Sequence, residues 1–311
     1  MLKRDELAKI AGIRFKIGEM LAYFDTNIFD NILKRTGGVT EEDEVQLRVA
    51  IETGQMSILP GVLNLQETVG AFHSRRPDIV LPQLELILSL CDWERFVKPH
   101  NMILEDDVRH FAWNGEPTVP FVRESTARQL RSMTKRLIDG SEDMHRLDAE
   151  ILKDQEQKKA FLDRVQEVAE SVSQQTQELH EKGEIPDFEQ YFHEGVTDFA
   201  VMFAKSHGVA DGCVQHGIQN LVKIRSIRAF LGFSMSLIYR RVVEQKKPKI
   251  GAARDLQHVP SAASAADVFV THDEELRLLL GRVPIRGFRV ATLEELLAEI
   301  SPKLELTSRR D

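Results

Sequence analysis

Four acidic residues, near the two ends of the chain, have the types and spacing that could do chemistry. They are Asp25, Glu67, Asp255 and Asp273. Carboxylates that a fold brings together repel one another strongly unless cations neutralise them. Hard oxygen ligands in that number suit Mg²⁺ or Mn²⁺. If the fold gathers these acids, the sequence predicts a site for one or two divalent ions.

Two short apolar runs are expected to deliver two of these acids. Met20-Leu-Ala-Tyr-Phe24 leads into Asp25, and Asp267-Val-Phe-Val-Thr271 leads into His272-Asp273. Runs of this kind, followed by polar turn residues, are typical of buried strands in a parallel sheet. Ligand-binding groups collect beyond the carboxyl ends of such strands. We therefore expect Asp25 and Asp273 at one shared edge of a sheet.

Helical patterns and further strands alternate with these two runs. In the N-terminal part, Thr40-Glu-Glu-Asp43 resembles a capping box and starts a helix reaching about Thr53. Met56–Leu59 follows as a strand, and Val62 to Phe72 as the helix that carries Glu67. The alternation indicates a parallel α/β sheet.

The C-terminal part repeats this alternation. Ala252 to Ala265 predicts a helix that begins near Asp255, and Glu274 to Leu280 predicts another. Phe288–Ala291 predicts a last strand, after which Thr292 caps a closing helix through Glu299.

Residues 79–247 contain no convincing strand. Their apolar spacing predicts helices over Pro82 to Leu90, Ser141 to about Lys182, Asp187 to Lys205 and Val222 to Val243. The simplest architecture is one α/β domain built from residues 18–78 and 248–302, with an all-helical domain inserted at 79–247.

The local motifs around the acids resemble those of the PIN domain, a family of metal-dependent ribonucleases. The matching stretches are Phe24-Asp-Thr-Asn-Ile-Phe29, Asn64-Leu-Gln-Glu67, Asp255-Leu-Gln-His-Val259 and Asp267-Val-Phe-Val-Thr-His-Asp273. The resemblance covers residues 18–78 and 248–302. PIN domains are usually compact, so the inserted helices lie outside the family pattern.

The resemblance implies a three-layer α/β/α domain whose four acids bind one or two Mg²⁺ or Mn²⁺ ions. It also implies that Thr26, Asn27 and Thr271 support the metal site. The expected activity is that of an endoribonuclease, a hydrolase that leaves a 5′-phosphate and a 3′-hydroxyl. A metal-bound water can attack phosphorus directly, so this chemistry needs neither a protein nucleophile nor a general-base histidine.

Other interpretations of the same residues stay open. Asp25 could cap a turn and Asp255 could be a helix N-cap. The chain could also be a PIN-like scaffold that binds RNA or protein with little catalysis. A haloacid-dehalogenase-like phosphatase needs an aspartate where Asn27 stands, and no phosphate-binding Gly-x4-Gly-Lys loop is present. His207, Cys213 and His216 are too few and too irregular to favour a zinc site.

The net charge of −8 argues against a nucleic-acid partner, but the positive charges are concentrated in one segment. From Lys223 to Arg254 there are nine basic residues and one acid, Glu244. Such a segment could hold a phosphate backbone by charge alone, although a solvated helix face is the alternative. The predicted RNA contacts are Arg240, Arg241, Lys246, Lys247 and Lys249, and single-stranded RNA is the expected partner.

The remaining expectations concern assembly and location. The helix from Ser141 could form a coiled-coil homodimer, but Lys158 interrupts its apolar stripe, so packing within the chain is expected. The insertion could also hold a protein partner. Two cysteines fit a reducing compartment. Phe230 to Tyr239, the most apolar late run, is about half the length of a membrane-spanning helix. With no visible signal peptide, a cytoplasmic protein is expected.

Overall fold

The computed structural model describes residues 19–73, 77–142, 187–244, 246 and 252–308, together with the single positions 163 and 167. The helix predicted from Ser141 to about Lys182 lies almost wholly outside the described residues.

A parallel four-stranded sheet forms the centre of the described chain. Its strands are β1 (Met20–Phe24), β2 (Met56–Leu59), β3 (Val268–Val270) and β4 (Arg289–Ala291), in the order β2-β1-β3-β4. Ala22 of β1 lies opposite Ile58 on one side and Val268 on the other. The two ends of the chain are thus joined in one sheet, and all four predicted strands are confirmed.

Three helices follow the first two strands: α1 (Thr26–Lys34), α2 (Glu41–Glu52) and α3 (Val62–His73). The predicted capping box at Thr40 is confirmed. Its hydroxyl accepts the Asp43 N–H at 3.2 Å, and its own N–H donates to the Asp43 carboxylate at 2.8 Å. These two bonds satisfy N–H groups that the start of a helix leaves without a partner.

The described part of the segment between residues 77 and 244 is helical and contains no strand. Its helices are α4 (Pro77–Leu90), α5 (His100–Asn114), α6 (Glu124–Ile138), α7 (Phe188–Ser206), α8 (Ala210–Gln215), α9 (Ile218–Leu221) and α10 (Arg225–Val242). Pro82, predicted near a helix start, lies inside α4. Single parallel bridges join Cys91 to Ile58 and Val97 to Gly61, so the chain after α4 runs beside β2.

Three helices complete the C-terminal part: α11 (Ala252–Ala265), α12 (Glu274–Gly281) and α13 (Leu293–Ser308). The predicted cap at Thr292 is confirmed, since its hydroxyl accepts the Glu295 N–H at 3.1 Å. α13 extends beyond Glu299, where the sequence predicted its end.

Side chains that alternate along the strands divide the apolar core into two layers. Leu21, Tyr23 and Phe269 face one cluster, whereas Phe24 and Val270 face the other. This alternation follows from the two-residue period of a strand. The first cluster includes buried residues of α5, α7, α10, α11 and α12. The second includes residues of α1, α2, α4, α6 and α13. Helices therefore cover both faces, as in an α/β/α arrangement, and the middle segment contributes to both layers.

The helices within the described ranges differ from membrane-spanning segments. None of them combines the length and the apolar character needed to cross a bilayer.

Candidate metal centre

Asp25 lies where β1 ends, and its carboxylate is buried. The Asp25 N–H donates to the Val270 carbonyl at 2.9 Å, which continues the sheet by one bond. One carboxylate oxygen accepts the hydroxyl of Thr271 at 2.9 Å. Asp25 is the residue before α1, and a hydrogen bond from the Asn27 N–H lowers the pKa of its carboxylate. The carboxylate therefore contacts both the start of α1 and Thr271, so it can serve as a cap as well as a ligand.

Thr271 and Asp273 follow β3 and lie at the same edge of the sheet as Asp25. The Thr271 hydroxyl donates to Asp25 and accepts the Asp273 N–H at 3.1 Å. Asp273 also caps α12, because its Oδ1 accepts the Leu276 N–H at 2.9 Å. Thr271 thus links Asp25 to the backbone of Asp273, and two hydrogen bonds fix the backbone and the side chain of Asp273.

Helix α3 contributes Asn64 and, one turn later, Glu67. The buried Asn64 amide donates to the Phe24 carbonyl at 2.9 Å, and its oxygen accepts the Gly61 N–H at 3.1 Å. These bonds tie the start of α3 to the end of β1. Because residues three apart share one helix face, Asn64 also sets the direction in which Glu67 projects.

Helix α11 presents a second pair with the same spacing, Asp255 and His258. The helix begins at Ala252, so Asp255 lies within its first turn and the N-cap alternative is wrong. His258 is buried; its Nε2 lies 3.0 Å from Glu67 Oε2, and its Nδ1 lies 3.2 Å from the Tyr23 hydroxyl. Gly61 leaves room for that hydroxyl, because a Cβ at position 61 would lie 2.6 Å from the oxygen.

Three of these side chains form a group that could hold a metal ion. One ligand atom each from Asp25, Glu67 and His258 lies within 4.8 Å of the other two, and among the described residues no other such group occurs. The ligands of Mg²⁺ lie at about 2.1 Å from the ion, so opposite ligands are about 4.2 Å apart. A separation of up to 4.8 Å is slightly longer than this, so small side-chain movements would let the three atoms share one cation.

The carboxylates of this edge act on one another electrostatically. Burial is the main reason that the pKa of Asp255 is raised to about 7, and the negative charges of Asp273 and Asp25 contribute to the increase. The charge of His258 lowers this pKa and opposes part of the effect. Burial also raises the pKa of Asp25, His258 lowers it, and Glu67 raises it further. The four predicted acids therefore lie near one another, where a positive charge would be strongly stabilising.

His258 responds to the same charges in the opposite sense. Burial alone lowers the pKa of its imidazole, but the negative charge of Glu67 and their hydrogen bond raise it. Asp25 and Asp255 raise it as well, and the net pKa of His258 is above its ordinary value. The negative charges around His258 therefore favour its protonated form more than burial disfavours it.

The two remaining supporting residues lie on the first turn of α1. Thr26 is partly buried; its hydroxyl lies 3.3 Å from the Asn64 amide, and its carbonyl accepts from Gln83 at 3.2 Å. Thr26 therefore joins α1, α3 and α4 behind the site. Asn27 is exposed. His272 lies nearby, with its Nδ1 2.9 Å from the Asn31 amide.

The predicted basic contacts are only partly free on the surface. Arg240 and Glu275 form an ion pair at 2.9 Å, with only 14% and 10% of their side chains exposed. Arg228, which belongs to the same basic segment but was not predicted as a contact, donates to the Pro284 carbonyl at 2.6 Å and lies over the Phe192 ring. Lys246 is 61% exposed, Arg241 is partly exposed, and Lys247 and Lys249 lie outside the described residues.

Sequence reasoning missed His258 and Asn64, although both stand inside the quoted motifs. The signal that could have found them is the paired spacing, Asn64-x-x-Glu67 on α3 and Asp255-x-x-His258 on α11. Both spacings place two polar side chains on one helix face. The zinc alternative finds no support among the described residues: the Cys213 thiol is buried against the Val108 carbonyl, and no metal-binding group includes it.

Comparisons of the chain with known protein families, with curated proteins and with solved structures find no match. The resemblance to PIN domains therefore stays a prediction.

Proposed function

We propose that this chain is a metal-dependent endoribonuclease with a PIN-like core. The observation that carries the proposal lies at the carboxyl edge of one parallel sheet, where Asp25 and Glu67 belong to one group of possible metal ligands. Asp255 and Asp273 lie near this group, since the negative charges of Asp273, Asp25 and Glu67 all raise the pKa of Asp255. These acids come from both ends of the chain and occur in the order that the family resemblance implies. The helices of residues 79–247 are an addition to that core.

The residues present fit a divalent ion. Asp25 and Glu67 offer carboxylate oxygens. Burial and the neighbouring negative charges raise the pKa of Asp255, so a cation beside these carboxylates would be strongly stabilising. Asp255 and Asp273 would bind the same ion or a second one. The donor set is rich in oxygen, which suits Mg²⁺ or Mn²⁺.

The chain's own residues then have distinct tasks in hydrolysis. A bound divalent ion supplies an acidified water and offsets the negative charge that develops at phosphorus. Thr271 holds the Asp25 carboxylate by its hydroxyl. The start of α12 holds Asp273, and Asn64 fixes the position of α3 under Glu67. A preorganised site of this kind lowers the cost of reorganisation when charge develops.

A panel of single-stranded RNA and DNA, incubated with Mn²⁺ or Mg²⁺, tests the proposal. We expect RNA cleavage that a chelator stops, with 5′-phosphate and 3′-hydroxyl products. Asp273→Asn should abolish cleavage and leave the fold intact, because asparagine caps helices as well as aspartate does. The matched control is Glu274→Gln, an exposed acid at the next position, which should cleave like the wild type.

Each other outcome has a definite meaning. Cleavage that survives in Asp273→Asn comes from a contaminating nuclease or from another site. Cleavage of DNA in place of RNA would support the proposed hydrolysis but show that RNA is not the substrate. If neither nucleic acid is cleaved while RNA still binds, the alternative of a binding scaffold is correct.

The basic segment gives a separate prediction about RNA affinity. Replacing Lys246, Lys247 and Lys249 together by glutamine should weaken RNA binding and make its salt dependence shallower. The slope of log affinity against log salt should fall by about one unit for each phosphate that a lysine no longer neutralises. The matched control is Lys223→Gln, an exposed lysine at the opposite end of α10. Filter binding at several salt concentrations measures both. An unchanged slope in the triple variant would remove the segment from the RNA-binding surface.

A further inference from the structure

We propose that His258 is a nitrogen ligand of this metal site, and that it makes the site select first-row transition ions such as Mn²⁺ over Mg²⁺. The inference rests on the metal site of the proposed function and goes further, since it names the class of ion and assigns a ligand that the four acids do not include. It does not depend on which substrate the site acts on.

The first argument is position. His258 is 3% exposed, and its Nε2 belongs to the same group of ligand atoms as the carboxylates of Asp25 and Glu67. Nε2 and Glu67 Oε2 share a hydrogen bond at 3.0 Å. Both atoms carry lone pairs that can bind a cation once the shared proton leaves. The imidazole therefore needs no large movement to reach an ion bound by Asp25 and Glu67.

The second argument is orientation. The Tyr23 hydroxyl lies 3.2 Å from Nδ1, and Tyr23 is fully buried. A proton on Nδ1 can be donated to that oxygen, which leaves the Nε2 lone pair directed at the carboxylates. Metal-bound histidines are commonly held in this way by a partner on the other ring nitrogen. The Phe269 ring stacks on the imidazole at 6.4 Å and 15°, so the imidazole plane is also constrained.

The third argument is ligand chemistry. Mg²⁺ binds oxygen ligands in a strict octahedron and rarely exchanges them for nitrogen. Imidazole nitrogen suits the first-row transition ions, whose affinity for a mixed site rises from Mn²⁺ onwards. A site in which one of three converging atoms is an imidazole nitrogen therefore discriminates against Mg²⁺, whereas an all-carboxylate site would accept both ions.

The competing role for His258 is purely structural. The imidazole could serve as a hydrogen-bonded brace between Tyr23 and Glu67 in the ion-bound protein as well. In that case its removal would lower stability and weaken both ions equally. The two roles therefore differ in the ratio of Mn²⁺ to Mg²⁺ affinity and in the presence of nitrogen next to bound Mn²⁺.

Calorimetric titration of the full chain with Mn²⁺ and with Mg²⁺, without RNA, tests the ratio. We expect the wild type to bind Mn²⁺ at least about tenfold more tightly than Mg²⁺. His258→Gln should lose roughly tenfold or more in Mn²⁺ affinity and much less in Mg²⁺ affinity. Tyr23→Phe, which removes only the orienting hydroxyl, should weaken Mn²⁺ by roughly 10- to 100-fold, as outer-shell changes do.

Pulsed electron paramagnetic resonance of bound Mn²⁺ gives a second readout that needs no variant. The wild type should show nitrogen coupling from one imidazole, and His258→Gln should lose it. The matched control is His272→Gln, a neighbouring histidine outside the ligand group, which should keep the coupling. Absence of coupling in the wild type, or equal weakening of both ions, would overturn the proposal. If Mn²⁺ is bound with nitrogen coupling but no RNA is cleaved, the nuclease proposal fails and this one stands.

Discussion

Asp25→Asn should abolish RNA cleavage and at the same time stabilise the metal-free protein. The activity should fall by at least roughly 100-fold, because even outer-shell changes at metal sites cost about 10- to 100-fold. Asparagine keeps an oxygen that can accept the Thr271 hydroxyl, so the local fold is retained. Cleavage rates with Mn²⁺ or Mg²⁺ in excess measure the first effect.

The stability effect follows from the sign of the pKa shift at Asp25. Burial and the charge of Glu67 raise the pKa of Asp25, so the ionised carboxylate is less favourable in the folded chain than in the unfolded one. Its contribution to stability is therefore lost as the pH rises through the folded pKa. At pH 8 with a chelator present, the neutral variant should therefore melt at a higher temperature than the wild type.

The matched control for Asp25 is Asp30→Asn on the same α1 helix. Asp30 is paired with Lys34 at 2.6 Å, and about a third of each side chain is exposed. Its replacement should leave cleavage unchanged, and the melting temperature with a chelator should not rise. If Asp25→Asn melts at a lower temperature than the wild type without metal, repulsion among the acids is not what destabilises the metal-free protein.

Arg95→Met should destabilise the fold by about 3 to 5 kcal/mol, because it leaves an uncompensated buried charge. Arg95 pairs with Glu19 at 2.9 Å, with 6% and 3% of the two side chains exposed, and with Asp92 at 2.5 Å. It also donates to the Ser57 hydroxyl at 2.9 Å. These bonds tie the residue before β1 to β2 and to the chain beside it. Urea denaturation measures the decrease.

The matched control for Arg95 is Arg109→Met. Arg109 and Glu105 form an ion pair of similar length, 3.0 Å, but 44% and 54% of their side chains are exposed. Exposed pairs contribute only about 0 to 1 kcal/mol. Adding Glu19→Gln to Arg95→Met should restore part of the stability, since it removes the more deeply buried of the two carboxylates that lose Arg95 as a partner. Equal destabilisation by Arg95→Met and Arg109→Met would show that burial does not set the cost.

Local patterns were enough to predict the strands and the edge at which the acids meet. Met20–Phe24 is apolar and ends at a polar turn, and the carboxyl ends of parallel strands share an edge. The run Asp267–Thr271 likewise ends just before Asp273. The sequence therefore predicted that Asp25 and Asp273 lie at the same edge of the sheet. Thr40 with Asp43, and Thr292 with Glu295, are local signals of the same kind, since each cap lies within four residues.

The features that sequence reasoning did not predict depend on partners distant in the chain. The place of His258 is set by Glu67 and Tyr23, which lie 191 and 235 positions away. Arg240 has the charge of an RNA contact, but only the packing of α12 on α10 reveals its ion pair with Glu275. The segment after α4 that runs beside β2 was not predicted as a strand. It makes only isolated bridges, at Cys91 and Val97, and so needs no strand-like alternation of apolar residues.

The bond between Thr271 and Asp25 joins residues 246 positions apart, and this separation has a consequence for synthesis. A ribosome releases the chain from its N-terminus, so Asp25 and Glu67 emerge long before His258 and Thr271 exist. Pairing of β1 with β3 also requires a long loop to close, which makes folding slow. A nascent chain therefore lacks the complete centre until Asp273 has been synthesised. The proposed nuclease can acquire its activity only after β3 has left the ribosome and paired with β1.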